Sequence, residues 1–185
     1  MQELSLNILD IAKNSVRAGA SKIEITVEKC TADKRLDITI EDDGCGMTPE
    51  QVEHVTDPFF TTRTTRSIGL GVPLFKMTAE MTGGSFEIRS QPGKGTVVTA
   101  HYHYGHIDML PLGDLPATVT ALIAGSPKIR FVYRYKVDGQ EFVLDTDEIK
   151  AVLEGVDITS SEILTFLGQM VAENSEEIDR LHPET

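Results

Sequence analysis

Asp10 and Asn14 stand four residues apart, with Arg17 three residues further on, in the stretch "LDIAKNSVR". If that stretch is helical, the three side chains share one face, a turn apart. A carboxylate there can orient or deprotonate a nucleophile, an asparagine carbonyl oxygen can hold Mg²⁺, and a guanidinium can meet phosphate. A second group lies in "LDITIEDDGCGM", where Asp42 and Asp43 end an alternating run and Gly44 and Gly46 follow. A carboxylate at a strand end can accept a hydrogen bond from an exocyclic amine, and glycines behind it let a flat base approach the backbone. The same residues also suit a surface Asp-Gly turn. Gly69 and Gly71 precede a helix-like run in "SIGLGVPL", and free N–H groups at a helix start favour phosphate. Gly93 and Gly95 in "PGKGT" fit a hairpin turn.

Elements that would position these residues can be read from periodicity. Leu4, Ile8, Ile11, Ala12 and Val16 recur at helical spacing from residue 3 to about residue 18, and Gly19 ends the run. "SKIEITVEK" and "KRLDITIED" alternate as paired strands across the loop 31–34. Thr48-Pro49-Glu50 reads as a cap and first turn of a short helix. Residues 56–71 have no period, which suggests a mobile loop. A helix from about Val72 to Thr82 stops at Gly83-Gly84, and "SFEIRS" and "TVVTAHYHY" form two strands. The order predicts an α/β sandwich with helices on one face of a mixed sheet. Beyond residue 105, "ATVTALIAG" suggests a helix, Asp138-Gly139 the turn of a hairpin, and two helical segments follow, with Ser160 or Ser161 capping the second. A boundary is expected there, dividing 1–105 from a C-terminal hairpin-plus-helices appendage, 106–185.

Composition narrows the function classes. The chain has 185 residues, 40% of them hydrophobic, and a formal charge of −12. That charge argues against nucleic acid and against anionic membrane surfaces, both of which need clustered Lys and Arg. No apolar run approaches a membrane span, and "MQELSLNILD" lacks the basic-then-apolar pattern of a signal peptide. Cys30 and Cys45 alone make no disulfide framework, so the cytoplasm is expected.

Taken in order, the motifs resemble those of the GHKL, or Bergerat-fold, ATPases, which include DNA gyrase, heat-shock chaperones, mismatch-repair ATPases and histidine kinases. "DIAKNSVRAGASKIEI" resembles the N box, "EDDGCGM" the D-x-G-x-G box and "DPFFTTR" the histidine-kinase F box. "SIGLGVPLFKMTAEMTGGSFEIRSQPGKGTVVTAHY" resembles the glycine box running into the last one. The resemblance spans about residues 3–103. It implies ATP and Mg²⁺ as ligands, with Asp42 reading adenine and Gly44 and Gly46 flooring the base pocket. Asn14 would hold the metal with Arg17 near the phosphates, and Asp10 would stand where a catalytic glutamate is found in ATP-hydrolysing relatives. Phe59, Thr61, Thr62 and Arg63 would belong to a lid, Gly69, Leu70 and Gly71 to the phosphate cradle, and Thr96 to the rear of the pocket.

Three departures bear on activity. Ser67 replaces the first glycine of the glycine box, and Asp10 is shorter than glutamate. His54, followed by "VTDP", does not fit the H-E-x-x-x-P pattern of a phosphoacceptor. His101 and His103 in "HYHYGH" look metal-like but suit free strand-end histidines better. The resemblance therefore implies a kinase that passes the γ-phosphoryl of ATP to a histidine or serine on a separate protein. An ATP-gated interaction switch without transfer is the alternative. A homodimer is expected through the apolar face that Ile163, Leu164, Phe166, Leu167, Met170 and Val171 would share, unless that face packs on the hairpin.

Overall fold

The computed structural model describes residues 3–57 and 70–182. Its elements run α1 (Leu4–Arg17), β1 (Lys22–Cys30), β2 (Arg35–Asp42), α2 (Pro49–Val55), α3 (Gly71–Met81), β3 (Ser85–Gln91), β4 (Gly95–His103), α4 (Leu115–Gly125), β5 (Arg130–Val137), β6 (Gln140–Asp145), α5 (Thr146–Leu153) and α6 (Ser161–Leu181). Six strands form one mixed sheet in the order β3-β4-β2-β1-β5-β6. All neighbours are antiparallel except β1 and β5, which run parallel with Ile25 opposite Tyr133.

Alternation decides which side of each strand is covered. Ile23, Ile25 and Val27 of β1 are buried, and their partners on the same face, Ile38 and Ile40 of β2 and Phe131, Tyr133 and Tyr135 of β5, are buried with them. This is the helix-covered face. Leu4, Ile8, Ile11 and Ala12 of α1 and Phe75 of α3 pack against it, each fully buried aliphatic contributing about 1.5–3 kcal/mol. Phe75 meets Phe86 edge-on at 6.3 Å and Tyr102 at 6.1 Å. The opposite face shows Glu24, Asp37, Thr39, Thr99, His101 and Arg134, a polar surface.

The sheet and the apolar core run continuously across residue 105. Strands β5 and β6 extend the sheet beyond β1, and Val119, Ile123, Leu167 and Val171 share one cluster with Ile8 and Ile25. Parallel pairing of β5 with β1 is a long-range match that local periodicity cannot reveal. The apolar face of α6 packs within its own chain: Leu167, Val171 and Ile178 are buried, Ile163, Leu164 and Met170 are partly so, and Phe166 stays 59% exposed.

Asp145 ties the end of this extension together. It accepts hydrogen bonds from Arg130 Nη2 at 2.6 Å and Nε at 3.1 Å, and its Oδ1 accepts from the Asp147 N–H at the start of α5. Arg130 is the main cause holding the Asp145 carboxyl below its usual range. A depressed carboxylate stabilises the fold above its unfolded pKa of about 3.9, and that contribution disappears as pH falls. Asp145→Asn is expected to cost about 1–2 kcal/mol at neutral pH. It should also flatten the fall in unfolding midpoint as pH drops below the usual carboxylate range. An unchanged acid limb in the variant would remove Asp145 as its source.

Candidate functional site

The amphipathic α1 presents Asp10 and Asn14, both half-buried, with exposed Arg17 at its end. Arg17 Nη1 donates to Asn14 Oδ1 at 2.9 Å. The expected metal-holding oxygen is therefore engaged by the expected phosphate-binding cation. Gly71, the first residue of α3, lies against Asp10: a Cβ built there would be 3.0 Å from the Asp10 Cβ. Among the described residues no side chain caps the first turn of α3, whose N-cap is Leu70.

Asp42 closes β2 on the helix-covered face and is only 8% exposed. Ser15 Oγ donates to its Oδ2 at 2.5 Å and the Gly44 N–H donates to its Oδ1 at 2.9 Å. A carboxylate offers about four acceptor positions, so two remain for a ligand amine. Asp43 points elsewhere. It accepts from the N–H groups of Ser21 at 2.7 Å and Lys22 at 2.9 Å and from the Ser21 hydroxyl, tying the turn to the start of β1. Burial raises its pKa, but those hydrogen bonds outweigh the burial and leave the carboxyl below its usual value.

The glycines hold the turn against its neighbours. Gly44 is buried beside Ala18, and a Cβ on it would meet the Ala18 Cβ at 2.9 Å. Gly46 has φ +65°, and a Cβ there would lie 2.0 Å from the Gln91 carbonyl oxygen. The Cys45 N–H donates to Ala18 O at 2.9 Å, and its carbonyl accepts from the Gly93 N–H at 2.8 Å. Cys45 itself is exposed. Thr96 pairs with Asp42 across β4 and β2, and its Oγ1 lies 2.8 Å from Ser90 Oγ, which accepts from the Met47 N–H.

Asp10, Asn14, Asp42, Gly44, Gly46, Gly71 and Thr96 are thus linked through α1, the turn after β2, the start of α3 and β4. Leu70 is exposed at the N-cap of α3. Phe59, Thr61, Thr62, Arg63 and Gly69 lie outside the described residues. Ser15, Ser21 and Ser90 were not singled out by sequence reasoning. Ser15 alone had a signal, since it follows Asn14 on the buried side of an amphipathic helix. Among the described residues no group of three or more His, Cys, Asp or Glu could hold a metal ion. His101 instead faces Asp37 on the open side of the sheet, with Nδ1 2.6 Å from Oδ1.

The chain belongs to the histidine kinase-, DNA gyrase B- and HSP90-like ATPase family, which matches residues 1–106. It therefore contains a GHKL ATP-binding domain of histidine-kinase-like type. Over 93 residues it is 36% identical to the sensor histidine kinase ZraS of Salmonella typhi, covering 50% of this chain and 20% of that protein. It is 34% identical over 92 residues to sporulation kinase D of Bacillus subtilis, covering 50% and 18%. The chain thus spans about a fifth of the length of these relatives. The fold is similar to that of the N-terminal domain of a DNA repair protein, with a TM-score of 0.54 and 13% identity over 78% of this chain and 53% of that one. Among the described residues no helix is long and apolar enough to cross a membrane.

Proposed function

We propose that this chain binds Mg-ATP and passes the γ-phosphoryl to a histidine or serine of a protein partner in a signalling pathway. The observation that carries this reading is Asp42. It is a buried carboxylate steadied by Ser15 and the Gly44 N–H, with acceptor capacity left, in a turn where Gly44 packs on Ala18 and Gly46 on the Gln91 carbonyl. A donor set of one carboxylate and a side-chain-free floor suits an adenine better than a sugar or a metal ion. Residues 1–105 would form the nucleotide-binding unit, with 106–185 a structural extension that reports its state.

Asn14 would hold Mg²⁺ through Oδ1, a hard oxygen suited to that ion, and Arg17 would leave Oδ1 and turn to the phosphates. Asp10 beside Gly71 would orient the attacking group. Phe59, Thr61, Thr62, Arg63, Gly69 and Leu70 would complete the phosphate side. The reactants are charged, so most of the rate enhancement would come from positioning and electrostatics. A cytoplasmic setting fits the two free cysteines.

Calorimetric titration of ATP with and without Mg²⁺ tests the binding. Asn14→Ala is expected to abolish most of the Mg²⁺ dependence while leaving metal-free binding within about threefold. A variant that keeps the full dependence would exclude Asn14 as the ligand. Transfer is tested by γ-labelled ATP and lysate: a labelled partner is expected, whereas binding without a phosphoprotein would favour the ATP-gated switch.

Self-association through the C-terminal region belongs to the same proposal, with exposed Phe166 at its centre. Because α6 supplies Leu167 and Val171 to the core, its deletion would unfold the chain, so Phe166→Asp is the informative variant. Sedimentation of the wild type as a monomer at all concentrations would sink the dimer.

A further inference from the structure

Two hydroxyls stand beside Asp42, and the direction of each proton follows from its partners. Asp42, Thr96 and Ser90 pair in one row across β2, β4 and β3, at the end of the helix-covered face. The row is pressed together at Gly95, where φ is +103° and a Cβ would lie 1.8 Å from the Asp42 carbonyl oxygen. Ser15 commits its proton to Asp42 Oδ2 at 2.5 Å. Thr96 Oγ1 has one hydrogen-bond partner among the described residues, Ser90 Oγ at 2.8 Å.

Ser90 is fully occupied. Its Oγ accepts from the Met47 N–H at 2.8 Å and donates to the Gly95 carbonyl at 3.0 Å. A hydroxyl has one proton and two lone pairs, and a carbonyl cannot donate. All three contacts of Ser90 are hydrogen bonds in one arrangement only: Ser90 donates to Gly95, and Thr96 donates to Ser90. Thr96 is left with lone pairs and no proton for a ligand. The ionised Asp42 carboxylate only accepts, and the Gly44 N–H is taken up by its Oδ1. Asp42, Ser15 and Thr96 together therefore offer acceptors alone.

We infer that Ser90 is a specificity-determining positioning residue, which holds the Thr96 proton away from the pocket so that the site takes a 6-amino purine and rejects a 6-oxo one. This rests on the Mg-ATP reading above. A 6-amino group brings N–H donors to this wall, whereas a 6-oxo oxygen would face acceptors with no donor to meet it. A threonine hydroxyl free to turn would serve either base, donating to the one and accepting from the other. Ser90 removes that freedom without touching the ligand.

Inosine triphosphate is the probe, because it exchanges the 6-amino group of ATP for a 6-oxo group and adds no 2-amino group. In calorimetry the wild type should bind it about a hundredfold more weakly than ATP. Ser90→Ala should narrow that gap about tenfold by tightening inosine triphosphate, with ATP affinity held within about threefold. Ser90→Cys, which keeps the volume but accepts poorly, should act in the same direction. Ser90→Thr restores an acceptor and should restore the gap. In the double variant Ser90→Ala/Thr96→Val no hydroxyl remains to donate, and inosine triphosphate should be rejected again. Two results would overturn the inference: an unchanged ratio of the two affinities in folded Ser90→Ala and Ser90→Cys, or inosine triphosphate binding as tightly to the double variant as to Ser90→Ala. A merely structural Ser90 gives the first of these, with a lower unfolding midpoint and both nucleotides weakened alike. Absence of ATP binding by the wild type would overturn the nucleotide reading and this one together, whereas ATP binding with an unaltered ratio overturns this one alone.

Discussion

Asp42→Asn is expected to weaken ATP binding by about tenfold to a hundredfold, or roughly 1.5–3 kcal/mol, the range of a charge-assisted hydrogen bond. The carboxylate holds the Ser15 hydroxyl and the Gly44 N–H with one oxygen each and has acceptor positions to spare. An amide keeps one oxygen for Gly44 and turns an NH₂ toward Ser15 or the ligand, where an adenine amine would meet a second donor. Asp43→Asn is the control. Its carboxylate serves Ser21 and Lys22 at the start of β1, so the change should cost about 1 kcal/mol of folding stability and leave ATP affinity untouched. Calorimetry on both variants, with unfolding curves alongside, decides the matter. If Asp43→Asn loses ATP and Asp42→Asn keeps it, the register assigned to this turn is wrong.

Gly46→Ala should destabilise the fold by about 3 kcal/mol or more, the cost of a left-handed backbone added to overpacking. Gly46 sits at φ +65°, and a methyl group there would stand 2.0 Å from the Gln91 carbonyl oxygen, a backbone atom fixed at the end of β3. Gly93 provides the comparison. Its φ is +74°, but a Cβ would meet nothing within 4 Å, so Gly93→Ala should cost only about 1 kcal/mol. Urea unfolding of the two variants separates the conformational cost from the steric one. Equal losses at both positions would mean that the turn after β2 is free to move away from β3.

Elements with a strong local signal were legible before any coordinates. The stripe Leu4-Ile8-Ile11-Ala12 made α1 plain, and the Thr48-Pro49 start of α2 is a capping box closed by Gln51. Alternation set β1 and β2, and the parity of that alternation already assigned Asp42 and Asp43 to opposite sides. The Asp138-Gly139 hairpin was equally local, with Asp138 at φ 48° and Gly139 at φ 89°. Each of these rests on neighbours within a few residues, which is what periodicity and turn chemistry record.

Residue types and spacing determined the family, the mixed sheet with its helices on one face, and the membership of Asp10, Asn14, Asp42, Gly44 and Gly46 in one set of motifs. Tertiary structure alone decided what touches what. Ser15 reaches Asp42 across 27 positions, Gly71 abuts Asp10 across 61, and β5 joins β1 in parallel from more than 100 residues away. It also turned the apolar side of α6 inward and set His101 against Asp37, a strand pairing that neither histidine spacing nor composition contains. The physical reason is the range of the forces involved. Backbone torsions and side-chain periodicity are local and are written in adjacent residues, whereas strand register and helix docking are chosen by the burial of distant surfaces and the satisfaction of polar groups that meet only when the chain is folded.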